Sequence, residues 1–217
     1  MRRLIDLSHS LEHGMITYKG LPAPIVCDFL SREASKAKYS ADTTFQIGKI
    51  EMVANTGTYV DAPFHRYEQG KDLSELPLTS LVDLEGLVFH TKERSNGPEI
   101  FGKAKVRSKA VLVHTGWAKH WRTDHYFEDH PFLTEAAALW LKDQGTAFVG
   151  IDSPNIDSTA TGERPVHTVL LGADIPICEH LCNLEQLPDS GFRFHAAPVK
   201  VKDMGTFPVR AYAVLPA

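Results

Sequence analysis

Cysteine and long apolar runs are both scarce in this sequence, and their scarcity excludes several kinds of protein. The 217 residues contain three cysteines, Cys27, Cys178 and Cys182, an odd number that does not indicate a disulfide framework. The spacing of Cys178 and Cys182 suits a metal only if other thiolates or imidazoles join them, so we expect free, buried thiols. No apolar run approaches the roughly 20 residues that a membrane-spanning helix needs.

An excess of charge of one sign is also missing. Lys and Arg total 23 and Asp and Glu total 27, which gives a net charge of -4. Because the basic residues are scattered, neither a nucleic acid nor an anionic membrane surface is expected as a partner. Near the N-terminus, Arg2 and Arg3 are followed by Asp6 before any signal-type apolar stretch, so a cytoplasmic location is expected.

Several catalytic and phosphate-binding motifs are absent as well. The sequence has no Gly-x-Gly-x-x-Gly and no phosphate-binding loop, and Ser153 and Ser158 lack the Gly-x-Ser-x-Gly context of a serine hydrolase. Internal repeats, low-complexity tracts and linker-like stretches are missing too. We therefore expect one domain spanning residues 1–217, with a core drawn from the 43% of residues that are hydrophobic.

Short β-type runs recur along the chain and alternate with a few helical segments. The clearest helix covers residues 134–144, with Thr134 as N-cap and Gly145 as its end, and others are predicted after Ser74 and over 165–171. This alternation predicts an α/β fold with a mixed sheet. The predicted strands are residues 4–7, 45–53 (half-buried, from its alternating pattern), 87–90, 110–115, 147–152, 193–197 and 209–214.

The densest cluster of polar residues follows the strand predicted at residues 45–53. It reads Asn-Thr-Gly-Thr-Tyr-Val-Asp-Ala-Pro-Phe-His over residues 55–65 and places Asp61 and His65 at the far end of a turn. Functional residues are commonly held on such loops by a rigid sheet. From these residues alone, a solvated loop in which Asp61 caps a turn is an equally good interpretation.

The same segment resembles the signature of the cyclase/kynurenine formamidase family of metal-dependent hydrolases, which reads His-x-Gly-Thr-His-x-Asp-x-Pro-x-His. Asn55 and Tyr59 stand where the family has its first two histidines. The matching positions are Gly57, Thr58, Asp61, Pro63 and His65. The resemblance runs nearly end to end, since five further segments are similar in the same order: residues 5–11, 150–157, 167–172, 175–184 and 205–211.

This resemblance implies a fold, an assembly and a site. The fold would be a β-rich, layered α/β domain with a small barrel-like sheet and flanking helices, and the chain would form a homo-oligomer, either a dimer or a tetramer. Asp61, His167 and Glu179 match family positions that bind a divalent ion, and two carboxylates with one imidazole suit Zn²⁺ or Mn²⁺. His65 matches the family's general base, which moves protons during hydrolysis.

Asn55 and Tyr59 are the two departures from the family signature. An amide oxygen and a neutral phenol are poor replacements for imidazole ligands, so we expect one divalent ion per chain rather than two. Tyr59 is predicted to donate a hydrogen bond to a developing oxyanion, and Asn55 to orient the substrate or water. The alternative is that both residues are polar loop positions that drifted after a metal site was lost.

The expected function is hydrolysis of an amide-type C–N bond in a small, aromatic substrate. N-formylkynurenine is the best-known substrate of the family that this chain resembles, and relatives also act on cyclic amides such as isatin. A metal-free small-molecule binding protein, or a non-hydrolytic cyclase on the same scaffold, is the alternative. The remaining histidines of one aromatic stretch, His120, His125 and His130, are interpreted as part of a surface loop or pocket lid.

Overall fold

A curled sheet of nine strands, resembling half of a barrel, forms the centre of the computed structural model, which describes residues 2–40 and 42–216. The strands are β1 (Arg3–Asp6), β2 (Ile25–Leu30), β3 (Ile47–Glu51), β4 (Tyr59–Asp61), β5 (Leu84–His90), β6 (Ser95–Asn96), β7 (Ala110–His114), β8 (Phe132–Leu133), β9 (Phe148–Ile151), β10 (Ile177–Glu179), β11 (Ser190–His195), β12 (Thr206–Pro208) and β13 (Tyr212–Leu215). The α-helices are α1 (Arg32–Ser35), α2 (Glu135–Asp143) and α3 (Pro165–Leu171).

The sheet is mixed, as the sequence predicted. Its order is β1-β13-β11-β5-β7-β9-β10-β4-β12. The central strands β5, β7, β9 and β10 run parallel to their neighbours in this group, whereas the pairs on either side of them are antiparallel. The α/β fold class and the barrel-like curvature are therefore confirmed.

Two hydrophobic cores lie against the sheet, and strand β7 contributes to both. Ala110 and Leu112 belong to one core, whereas Val111 and Val113 belong to the other. This division follows from the strand geometry, because successive side chains point to opposite faces of a sheet. Helices α2 and α3 pack in the second core, and α3 carries the residues of interest below.

Helix α2 ends and begins where the sequence predicted. The side chain of Thr134 accepts a hydrogen bond from the Ala137 N–H, which satisfies one of the free donors of the first turn. Gly145 follows the helix with a φ of +74°, in the left-handed region that favours glycine. Helix α3 also confirms the helix predicted over residues 165–171.

The helix predicted after Ser74 is wrong. The structure has only a short 3-10 turn there, Leu78–Ser80. The Asp72 carboxylate accepts hydrogen bonds from the N–H groups of Ser74 and Glu75, which would suit a helix start. Pro77 then stops propagation, because a proline disfavours helical geometry in the residue before it.

The predicted strand at residues 45–53 exists as β3, but its predicted half-burial is wrong. Strand β3 pairs with β2 in a separate two-stranded ribbon, and all five of its residues are exposed. Cys178 and Cys182 are free and buried, as expected, whereas Cys27 is exposed on the ribbon. Among the described residues, no helix has the length and apolarity needed to cross a membrane.

Candidate active site

Three short strands and the start of one helix bring the polar residues together. Strand β4 lies between β10 and β12, and the register places Tyr59 opposite Glu179 and Asp61 opposite Thr206. Tyr59 and Asp61 are two residues apart in one strand and therefore point to the same face of the sheet. The N-terminal turn of α3 adds His167 to this group.

Asp61 is fully buried and has one oxygen without a partner. Its Oδ1 accepts a hydrogen bond from the Thr206 hydroxyl, whereas its Oδ2 has no hydrogen-bond partner. A buried polar atom left unpaired costs free energy comparable to that of a lost hydrogen bond. The free Oδ2 therefore marks a place where a cation or a polar ligand would be stabilised.

His65 lies on the 3-10 turn that follows β4, and its ring is oriented by Thr206. The Nδ1 atom is 2.9 Å from the Thr206 hydroxyl oxygen. The Thr206 hydroxyl uses its single hydrogen to donate a hydrogen bond to Asp61. A neutral His65 must therefore donate to the Thr206 oxygen from Nδ1 and keep its lone pair on Nε2. Gly205 permits this close approach, because a Cβ there would lie 2.4 Å from the His65 backbone nitrogen.

His167 is held by a carboxylate that the sequence analysis did not assign to the site. The Nδ1 atom is 2.6 Å from the Asp157 Oδ2, and the same carboxylate accepts hydrogen bonds from the N–H groups of Val166 and His167 at the start of α3. The Nε2 atom therefore faces Asp61 Oδ2 at 3.7 Å and Glu179 Oε1 at 3.5 Å. A carboxylate behind the ring is the arrangement that commonly orients a metal-binding histidine.

The charge balance of the cluster centres on His167. Burial alone would lower the pKa of His167, but the hydrogen bond to Asp157 and the nearby Asp61 and Glu179 carboxylates outweigh burial and raise that pKa. Burial raises the pKa of Glu179, as does the neighbouring Asp61 carboxylate. In the absence of a bound cation, the His167 imidazolium is therefore the positive charge that stabilises these carboxylates.

Glu179 is engaged at both of its oxygens. Its Oε2 accepts a hydrogen bond of 2.5 Å from the Tyr59 hydroxyl, and its Oε1 accepts one of 2.6 Å from the Ile156 N–H. The predicted use of the Tyr59 hydroxyl on the substrate therefore needs correction, since this hydroxyl donates to Glu179. The pairing was not foreseeable from sequence, because the two residues are 120 positions apart.

Proximity groups two of the three ligands expected from the family resemblance, Asp61 and His167, with His65. The atoms that lie within 4.8 Å of one another, and so could hold one ion, come from Asp61, His65 and His167. Glu179 borders this group, but its oxygens are already paired with Tyr59 and Ile156. The donor set and the unpaired Asp61 Oδ2 fit a divalent cation.

A cavity of about 250 Å³ lies next to these residues. Asn55, predicted to bind the substrate, lines it together with Tyr59 and His65. The other lining residues are Tyr18, Leu21, Asn155 and Arg164, none of which was singled out in the sequence. Of the three histidines assigned to a surface loop or pocket lid, His125 is exposed and His120 is partly exposed. His130 is buried and interacts with Thr159, so a surface-loop position is wrong for this residue.

Known proteins resemble this chain over its whole length. A kynurenine formamidase of Bacillus thuringiensis (strain Al Hakam) is 27% identical over 208 residues, and one of Bacillus cereus is 28% identical over 208 residues, in each case 95% of both chains. Among solved structures, isatin hydrolase A from Labrenzia aggregata, bound to benzyl benzoate, has a TM-score of 0.83 at 22% identity, covering 100% of this chain and 94% of that one.

A second solved structure shares the fold to the same extent. It is described as a potential metal-dependent hydrolase with cyclase activity, and it has a TM-score of 0.82 at 24% identity, covering 100% of both chains. At these identities the two structures establish the fold. A family model described as "Putative cyclase" matches residues 5–158, and this chain therefore belongs to the cyclase family.

Proposed function

We propose that this protein is a metal-dependent hydrolase that cleaves an amide-type C–N bond in a small, aromatic substrate. The observation that carries the proposal is the convergence of Asp61, His65 and His167 beside a cavity, with one buried Asp61 oxygen unpaired. The kynurenine formamidase and isatin hydrolase relatives support an arylformamide or a cyclic aryl amide as the substrate class.

The cation would be held by Asp61 and His167 together with Glu179, whose Oε1 lies 3.5 Å from the His167 Nε2, and His65 would remain free to move protons. These residues offer imidazole nitrogen and carboxylate oxygen, which suit Zn²⁺ and Mn²⁺, with Zn²⁺ the stronger expectation. A divalent ion bound here would polarise a carbonyl and lower the pKa of water. One ion per chain is proposed, because Asn55 and Tyr59 offer no imidazole and the Tyr59 phenol is bonded to Glu179.

His65 is proposed as the group that moves protons. Its Nδ1 is tied to Thr206, so its Nε2 lone pair is available to take a proton from water and return it to the leaving nitrogen. The imidazole lines the cavity and is partly exposed, which gives it access to substrate. Asn55 is proposed to bind the substrate. Tyr59 is proposed to hold the Glu179 carboxylate in position through the hydrogen bond from its hydroxyl.

A metal-free binding protein is the second candidate, and one observation favours it. His167 lies within 4 Å of the Asp61, Asp157 and Glu179 carboxylates, so its imidazolium can stabilise them without a cation. On this alternative, the cavity binds a small molecule and no hydrolysis occurs. The buried, unpaired Asp61 Oδ2 is the feature that this alternative leaves unexplained.

Two measurements decide between the candidates. The first is elemental analysis of protein purified without chelator, for which we expect close to one equivalent of zinc or manganese. The second is release of formate from formanilide substrates before and after chelation, with restoration by added metal. His167→Ala should abolish both metal and turnover, whereas His125→Ala, which removes an exposed imidazole, should change neither.

We also propose a cytoplasmic homo-oligomer. The β2–β3 ribbon supports an assembly, because five of its large apolar side chains are exposed, among them Phe29 at 75% and Ile50 at 57%, and clustered exposed apolar surface marks interaction sites. Light scattering coupled to size exclusion measures the mass. A mass near 24.1 kDa would contradict the proposal.

A further inference from the structure

Arg164 is the permanently charged side chain among the described residues that line the candidate cavity. Its neighbours there are a leucine, two tyrosines, two amides and one imidazole, the last from His65. None of these is a permanent anion that would neutralise the guanidinium within the cavity. A ligand entering this space therefore meets a positive charge on one side and the imidazole of His65 on another.

The guanidinium of Arg164 is held in place from one side. Its Nη1 atom donates to the backbone carbonyls of Ser158, Thr161 and Glu163 at 3.2, 2.8 and 2.7 Å. The hydrogen bonds that Arg164 makes to backbone in the described chain thus come from a single nitrogen. The Tyr18 hydroxyl lies near the guanidinium, and the Arg164 charge acts to lower the Tyr18 pKa against the dominant effect of burial. A neutral phenol and backbone carbonyls do not cancel the guanidinium charge, so a planar acceptor such as a carboxylate would pair with it strongly.

Arg164 lies three residues before His167, one of the residues proposed to hold the metal ion. Arg164 is the residue before helix α3, which begins at Pro165, and His167 follows within the first turn. Proline fixes its own φ and restricts the residue before it, so the Arg164 backbone and the His167 ring belong to one rigid segment. A group bound at Arg164 is therefore positioned relative to His167 without a mobile loop between them.

The carboxylates behind the cavity do not repel an anion strongly. Glu179 accepts hydrogen bonds from Tyr59 and Ile156. Asp61 accepts a hydrogen bond from the Thr206 hydroxyl and faces His167. These donors and the nearby imidazole offset the negative charge of the two acids. An anionic group at Arg164 would therefore gain a charge-assisted pair at modest electrostatic cost.

We propose that Arg164 is the specificity residue of this enzyme, and that it selects aromatic amides that carry a carboxylate. The inference rests on the proposed hydrolase function and adds the substrate class to it. The carboxylate pairs with the Arg164 guanidinium, and the amide to be cleaved lies at the His65 end of the cavity. The volume of about 250 Å³ accommodates a single ring with small substituents.

The test compares two substrates that differ only in charge, 3-formamidobenzoate and its neutral carboxamide, 3-formamidobenzamide. For the metal-loaded wild-type enzyme we expect kcat/KM to favour the carboxylate, with the difference mainly in KM. Arg164→Gln should reduce this preference by about 10- to 100-fold, the scale of lost hydrogen bonds to a charged group. Arg164→Lys keeps the charge but loses the planar fork, and should give an intermediate preference.

Arg66→Gln is the matched control. Arg66 also contacts α3, through a 3.2 Å hydrogen bond from its Nε to the Thr168 hydroxyl, and it adjoins His65, but it does not line the cavity. Removing its charge should leave the carboxylate preference unchanged. Because the readout is a ratio of two substrates, a general loss of folded or active enzyme in any variant cancels. A preference that survives in Arg164→Gln, or that is absent from the wild type, would overturn the inference.

A separate measurement distinguishes failure of this inference from failure of the hydrolase proposal. If neither formanilide is cleaved by metal-loaded protein, the hydrolase proposal is wrong for this class. Calorimetry with 3-aminobenzoate and 3-aminobenzamide on the metal-free protein then tests Arg164 alone. Tighter binding of the carboxylate that disappears in Arg164→Gln supports the anion site, whereas equal binding of both compounds contradicts it.

Discussion

Tyr59 donates a 2.5 Å hydrogen bond to Glu179 across the β4–β10 pair, at the position where the family signature has a histidine. Both side chains are fully or nearly fully enclosed, at 2% and 0% exposure. The Tyr59 hydroxyl thus stabilises the Glu179 carboxylate through a hydrogen bond, at a position where the family signature has a metal-binding histidine. Burial, together with the nearby Glu179 and Asp61 charges, keeps the pKa of Tyr59 well above its usual range. The phenol is therefore a proton donor and not an anionic ligand.

Tyr59→Phe should destabilise the protein. The variant leaves the Glu179 Oε2 buried without its donor, which costs roughly 1–3 kcal/mol of unfolding free energy, or more if the acid stays charged. Chemical denaturation measures this cost. Tyr67→Phe is the control, since its hydroxyl donates at 2.8 Å to the neutral Thr168 carbonyl, and we expect a smaller loss. Equal losses in the two variants would show that the charge of Glu179 contributes nothing.

The second prediction concerns the number of metal ions. Wild-type protein should hold close to one divalent ion per chain, because Asn55 and Tyr59 provide no imidazole. The double variant Asn55→His, Tyr59→His restores the two histidines of the family signature and frees Glu179 from the phenol. It should bind a second ion, measured by elemental analysis. A double variant that still holds one ion would show that the backbone at residues 55–59 has diverged from the family geometry.

His65→Ala separates proton transfer from metal binding. If His65 moves protons, its removal should lower kcat by about 100-fold or more with metal content unchanged. The grouping of His65 with Asp61 and His167 makes the other outcome measurable too. Parallel loss of metal and activity would reassign His65 as a ligand. An unchanged rate would remove it from the mechanism.

Thr206 should matter through its hydroxyl alone. Thr206→Val removes the donor to Asp61 and the acceptor for His65 Nδ1, so the His65 ring loses its fixed tautomer. We expect turnover to fall, because His65 would no longer be held with its lone pair on Nε2. Thr206→Ser keeps the hydroxyl and should retain most of the activity. If valine and serine behave alike, the hydrogen bonds of Thr206 have no catalytic role.

The sequence indicated the main features of the fold but not the contacts that complete the site. Helix α2 was predictable because Thr134 and Gly145 are local signals at its two ends. Strands β4, β10 and β12 are only three residues long, which is too short for a periodic pattern to identify. Their register nevertheless creates the Tyr59–Glu179 and Asp61–Thr206 pairs, and neither pair leaves a local signal in the sequence.

Arg164 and Asp157 were missed for a related reason. Each lies in the irregular segment between β9 and α3, where no hydrophobic period constrains the chain. Asp157 was included in a segment similar to the family. Its contact with His167, however, depends on the path of the ten-residue connection between the two residues, which the sequence does not reveal. The exposure of β3 was unpredictable as well, since an alternating pattern does not reveal whether a ribbon leaves the main sheet.

His180 gives the last prediction, which concerns stability and pH. This histidine is fully buried, its Nδ1 is 3.0 Å from the Tyr126 hydroxyl, and its Nε2 has no hydrogen-bond partner. Burial lowers its pKa from 6.5 to about 3. The unfolded chain therefore binds a proton more readily than the folded chain between about pH 3 and 6.5, and folding stability must fall as the pH is lowered through that window. Above pH 6.5 the group is neutral in both states and contributes no pH dependence.

The variant His180→Asn tests this prediction. Asparagine tolerates the left-handed φ of +56° at this position and offers the Tyr126 hydroxyl a polar partner, but it does not titrate. Chelated wild-type protein should lose up to about 1.4 kcal/mol of unfolding free energy per pH unit from His180 as the pH falls from 6.5 towards 4. His180→Asn should show a shallower slope, and His125→Asn, which replaces an exposed imidazole, should keep the wild-type slope. Parallel slopes for His180→Asn and wild type would mean that the imidazole is protonated in the folded chain, and that the burial around Trp121 and Tyr126 does not keep it neutral.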